Sequence, residues 1–216
     1  MLEALPSENC FLTLFRWSNL QSIKASLREQ GLEQNEELEE TIRFLQSRGV
    51  KDKLDDLIEI PFRSKASLHK HGRYRSRYSD GSFPVLYTAL EEGTAEAEAR
   101  HWFPTVMGNP STSRTGHYLS FSCRFDGATK DLRPKYSEWN ELTKDNYDFC
   151  NKLGKEALEE GLDALLSPSA RKVDGTTVPV FTRNSVDTPQ VLRAVALTLD
   201  PDTGEVFLSV EDSRDS

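Results

Sequence analysis

The side chains of this sequence able to do chemistry on a ligand gather in two stretches, Gly72 to Glu98 and Ser167 to Phe181. The first holds Arg73 and Tyr74 in a basic loop, Tyr87 in the apolar run Val85-Leu86-Tyr87, and Glu98 in a segment that also carries Glu91, Glu92 and Glu96. The second holds Ser167, Ser169 and Arg171 directly after an apolar run. An arginine suits phosphate because its guanidinium donates several N–H bonds in a fixed plane and stays charged. Tyrosines offer ring faces on which a base stacks and hydroxyls that reach ribose or amide groups. A carboxylate answers positive charge, and small hydroxyl residues in a turn can donate to phosphate or ribose. These types together suit a ligand with phosphates, a ribose and a flat cationic ring. Residue type alone leaves Arg75 and Arg77 as rivals to Arg73, Glu96 as a rival to Glu98, and Ser167 as a rival to Ser169.

The elements that must position these groups show as changes in hydrophobic period. Leu20, Ile23 and Leu27 form one helical stripe ending at Gly31, and Leu38, Ile42 and Leu45 form another ending at Gly49. A third helix around Lys53 to Ile58 is expected to stop at Ile60-Pro61, since the residue before proline disfavours helical backbone. Residues 1–60 therefore read as a helical N-terminal extension, packed on the rest of the chain or at a self-association interface that would make a homo-oligomer. The acidic block from Glu33 to Glu40 reads as the solvated face of its helix.

From Phe62 onward the pattern is mixed. Asp80-Gly81 signals a turn before a strand over Phe83 to Ala89, and Thr94 is placed to cap a helix over Ala95 to Trp102. Pro104 to Gly116 reads as a surface loop and Tyr118 to Phe125 as a strand. Tyr147, Cys150, Leu153 and Leu158 outline a helix ending at Gly161, followed by a strand over Leu162 to Leu166. Val191 to Leu199 and Val206 to Val210 flank the turn residues Asp200 to Gly204, which predicts a hairpin. The order fits an α+β fold, with residues 61–216 as the domain that carries the candidate site.

Charge and composition narrow the function classes. The chain has 216 residues and a formal net charge of -8, so its overall field repels polyanions and disfavours general nucleic-acid binding. No apolar run approaches the ~20 residues needed to span a bilayer. The start, MLEALPSENCFLTLF, carries Glu3 and Glu8 where a secretory signal would be basic, so the expected location is the cytoplasm. Cys10, Cys123 and Cys150 are odd in number and widely spaced, which builds neither a disulfide framework nor a metal pair. His69, His71 and His101 lack a second ligand pair at metal-binding spacing, so no metal is expected.

The runs GRYRSRYSDGSFPVLYTALEEGTAEAEARHWF and GLDALLSPSARKVDGTTVPVF resemble the RES domain, a bacterial family named for its arginine, glutamate and serine. The resemblance assigns those three roles to Arg73, Glu98 and Ser169, with Tyr74, Tyr87 and Arg171 as further NAD+-binding residues. It implies an ADP-ribosyltransferase-like mixed-sheet core and an enzyme that cleaves the nicotinamide-ribose bond of NAD+. Inorganic phosphate or water would be the acceptor, and NAD+ the substrate rather than a bound cofactor. It also implies a toxin neutralised by a helix-turn-helix (Xre-type) antitoxin. Two alternatives stand beside it. An arginine-specific ADP-ribosyltransferase would need Arg73, Ser111-Thr112-Ser113 and Glu96-Ala97-Glu98 in a different order; a non-enzymatic interaction domain would place the function in the N-terminal stripes.

Overall fold

The structure, a computed structural model, describes residues 1–19, 51–62, 75–108 and 112–210. Alternation in the first of these segments makes strand rather than helix. β1 (Glu8–Asn19) follows a short 3-10 turn at Leu2–Ala4, and Leu14 and Trp17 are its buried residues. The helical expectation for residues 8–19 is therefore corrected: this segment is part of the sheet. The helical stripes over Leu20 to Leu27 and Leu38 to Leu45 lie outside the described residues. A helix does follow, α1 (Lys51–Phe62), which runs through Pro61 instead of stopping before it.

β2 (Leu86–Ala89) leads into α2 (Glu92–Met107), a longer helix than the spacing predicted. It starts before Thr94, whose hydroxyl donates to the Glu91 carboxylate at 2.7 Å, so Thr94 is a first-turn residue and not the cap. It also continues through Pro104, which forgoes one backbone bond, and ends at Gly108, where φ is +74° and glycine is favoured. The predicted loop from 104 is thus helix as far as Met107. The strand expected over Tyr118 to Phe125 extends over β3 (Arg114–Asp131). Then come α3 (Asp148–Glu159), β4 (Ala164–Pro168), β5 (Thr176–Val180) and the hairpin β6 (Gln190–Leu199) and β7 (Val206–Val210). The hairpin closes through Asp200 to Gly204 as its turn residues predict.

Among the described residues seven strands form one mixed sheet in the order β1-β2-β5-β4-β3-β6-β7, in which β3 and β4 run parallel and the other pairs antiparallel. β1 pairs with both β2 and β3, so β1, β2, β5, β4 and β3 close on themselves while β6 and β7 extend from the first half of β3. Alternate residues of β3 (Leu119, Phe121, Cys123, Phe125) meet Leu14, Leu86, Val178, Val180 and the α1 residues Leu57 and Ile58 in the central core. Each such large side chain is worth about 1.5–3 kcal/mol when fully buried. α3 presents Cys150, Leu153 and Ala157, at helical spacing, to Leu132, Leu142, Leu165 and Phe181. α2 packs Ala95 and Phe103 on Trp17, Ala89, Tyr118 and Val195. No described helix is long and apolar enough to cross a membrane.

Candidate active site

Two elements bring the candidate residues together: α2, which follows β2, and the loop between β4 and β5. Ser169 opens that loop. Its hydroxyl accepts the backbone N–H groups of Arg171 (3.1 Å) and Lys172 (3.2 Å), a turn typical of serine, and donates to Glu98 Oε1 at 2.9 Å. Gly175 brings the loop back against α2 so closely that a Cβ there would stand 2.6 Å from Thr94 Oγ1. Glycine at this position lets the serine loop lie on the first turns of the helix that carries Glu98.

Glu98 is partly buried, and desolvation raises its carboxyl above the ordinary value; the Ser169 hydrogen bond and the charges of Arg77 and Arg171 oppose that rise. Glu96, two residues earlier, instead pairs with Arg100 one turn on at 2.9 Å. The two glutamates that sequence spacing could not separate therefore face different partners. The two serines also diverge: Ser167 is fully buried with its hydroxyl 2.5 Å from the Tyr78 hydroxyl.

Tyr87 is held from both ends. Its hydroxyl accepts the Tyr78 N–H at 2.5 Å and donates to Ser76 at 3.0 Å, and burial raises its pKa, so the phenol stays protonated. Its carbonyl accepts from Arg16 at 2.6 Å. Arg171 pairs with the exposed Asp145 at 2.6 Å, while its Nε is buried without a hydrogen-bond partner among the described residues. Arg77 donates to the carbonyls of Leu142 (3.2 Å) and Lys144 (2.5 Å) and lies 4.7 Å over the Tyr147 ring. It thereby fixes the segment that carries Asp145. Arg73 and Tyr74 lie outside the described residues.

A cavity of about 340 Å³ opens beside this constellation, with Tyr87 and Glu98 in its wall. Arg16, Trp17 and Trp102 line it too, and none of the three was singled out from sequence. The signal available was an arginine inside the apolar run Phe11 to Trp17, where a charge needs a reason. Burial lowers the Arg16 pKa to about 10, so it remains a cation at neutral pH beside Tyr87. Ser169 and Arg171 line a second recess of about 580 Å³ across the serine loop. Thiol chemistry has little support here: burial pushes Cys123 up to about 12 and also raises Cys150. Among the described residues no group of His, Cys, Asp and Glu could hold a metal ion.

The mixed α+β fold thus carries a partly buried glutamate fastened to a loop serine. The chain belongs to the RES domain family, whose pattern matches residues 52–200. This span is wider than the stretch from Gly72 to Phe181 within which the two resembling runs lie. Among solved structures the chain is similar to one in the crystal structure of the M.tuberculosis MbcT-MbcA toxin-antitoxin complex, with 15% identity and a TM-score of 0.49 over 93% of this chain and 91% of that one. No match is found among curated proteins.

Proposed function

We propose that this chain cleaves the nicotinamide-ribose bond of NAD+, with phosphate or water as acceptor, and that the activity makes it a toxin. The observation that carries the reading is the Glu98 carboxylate, drawn into a cavity wall and fastened by Ser169 at 2.9 Å. Breaking this bond leaves the electron pair on the nicotinamide ring nitrogen and cationic character on the ribose. A carboxylate fixed beside the ribose stabilises that charge more in the transition state than in the ground state. Ser169 positions this carboxylate: its hydroxyl proton is committed to Glu98 and its oxygen already accepts two backbone N–H groups. Arg73 and Arg171 bind the pyrophosphate, and Tyr74 and Tyr87 bind the base and ribose. Family membership supports the toxin role and a helix-turn-helix antitoxin as partner.

Incubation of the purified protein with NAD+, with and without inorganic phosphate, tests the reading. Products identified by mass distinguish ADP-ribose (hydrolysis) from ADP-ribose 1″-phosphate (phosphorolysis). Labelled protein without free ADP-ribose species would favour a transferase, and an unchanged NAD+ pool would favour an interaction domain.

A further inference from the structure

We propose that Glu91 is a positioning residue for the Glu98–Ser169 pair: its carboxylate fixes the far end of the serine loop to the start of α2, so that Ser169 at the near end meets Glu98. This inference rests on the NAD+-cleaving reading above and gives a role to a glutamate that the family resemblance leaves without one.

Glu91 immediately precedes α2 and has extended backbone. Its Oε2 accepts the Thr94 hydroxyl at 2.7 Å and the backbone N–H of Thr176 at 3.1 Å. Thr176 is the first residue of β5, and its carbonyl accepts the Leu90 N–H at 3.1 Å. The chain just before α2 is therefore tied to the residue that ends the serine loop. Thr94 and Glu98 are four residues apart on α2 and share a helix face. That face meets the loop at both ends: Gly175 lies tight against Thr94, and Ser169 donates to Glu98.

The loop is closed on itself, so a hold at one end is felt at the other. The Ser169 N–H donates to the Gly175 carbonyl at 2.8 Å, and the Gly175 N–H donates to the Lys172 carbonyl at 3.1 Å. The Ser169 hydroxyl accepts from Arg171 and Lys172 within the same turn. A turn bonded in this way moves as a unit, and Glu91 sets where that unit lies on the helix that carries Glu98.

Loss of the tie has a signature on Glu98. If Ser169 draws back, the carboxyl loses the hydrogen bond that opposes its desolvation, and the charges of Arg77 and Arg171 remain the opposing groups. Its pKa then rises further. A direct charge effect has the opposite sign, because removing a nearby negative charge lowers a carboxyl pKa.

The test measures pH-rate profiles of NAD+ cleavage for the wild type, Glu91→Ala and Glu91→Gln, with thermal melts at the same pH values to keep unfolding apart from titration. Alanine removes the acceptor; glutamine keeps an amide oxygen able to accept both bonds and removes only the charge. Glu91 is exposed, so both variants should fold. Glu91→Ala is expected to lose about tenfold in kcat with KM for NAD+ little changed, and Glu91→Gln to stay within about threefold of the wild type. The acid limb of kcat/KM should move to higher pH in Glu91→Ala alone. A limb in Glu91→Ala that stays in place or moves to lower pH, or a glutamine variant as slow as the alanine one, would overturn this inference alone. No cleavage of NAD+ by the wild type would overturn the NAD+ reading and this inference with it.

Discussion

Ser169 and Glu98, 71 residues apart in sequence, meet through a 2.9 Å hydrogen bond in which the serine donates. Desolvation raises the Glu98 pKa and this bond lowers it, so the serine helps to keep the carboxylate ionised in a partly buried setting. If the ionised form is the working one, activity falls as pH drops through the raised pKa. Ser169→Ala removes the lowering contribution, and the acid limb of kcat/KM should move to higher pH. At neutral pH the variant should lose about tenfold or more, the scale of one hydrogen bond to a charged group. A pH-rate profile of both proteins checks this, and superimposable acid limbs would argue against the coupling.

Glu98 should weaken the fold that holds it. A carboxyl whose folded pKa exceeds its unfolded value stabilises the protein below the unfolded pKa, and that contribution is lost as pH rises through the folded one. Glu98→Gln keeps an acceptor for Ser169 and removes the partly desolvated charge. The variant should therefore melt at a higher temperature than the wild type at pH 7, with the gap closing in acid below the ordinary carboxylate range. Thermal melts at the two pH values read it directly.

Gly154 on α3 faces the backbone of Tyr78, where a Cβ would stand 2.0 Å from the carbonyl oxygen. Tyr78 in turn supplies the N–H that holds the Tyr87 hydroxyl. Gly154→Ala should destabilise the protein by about 1–3 kcal/mol and lower NAD+ turnover through Tyr78 and Tyr87. Denaturant midpoints together with turnover at saturating NAD+ measure both effects.

Arg73→Ala should weaken NAD+ binding by about tenfold to a hundredfold while leaving the melting temperature unchanged, because a guanidinium that clamps phosphate serves the ligand rather than the fold. Calorimetric titration with NAD+ is the check. If binding is unaltered, Arg75 and Arg77 take its place as candidates.

Much of this arrangement was legible where a local rule decides it. The β6–β7 hairpin follows from Asp200 to Gly204, and α3 from the spacing of Cys150 and Leu153 together with Gly161. What sequence reasoning missed was decided by distant partners. β1 alternates, yet it gains a place in the sheet only by pairing with β3 more than a hundred residues later. The full length of β3 likewise reflects neighbours on both sides, β1 on one and β6 and β4 on the other. Pro104 punctuates the sequence as a loop would, but packing of Phe103 in the core carries the helix past it. Glu98 and Ser169 could be named from the family resemblance, whereas the hydrogen bond that distinguishes them from Glu96 and Ser167 is a tertiary fact.

Release of free nicotinamide from NAD+ by the wild type, Glu98→Gln and Glu96→Gln, measured side by side at neutral pH, tests the central claim most directly. The account predicts release by the wild type, a loss of roughly 10²–10³ for Glu98→Gln with NAD+ binding largely kept, and near-normal release for Glu96→Gln. Full activity in Glu98→Gln, or a loss confined to Glu96→Gln, would contradict it.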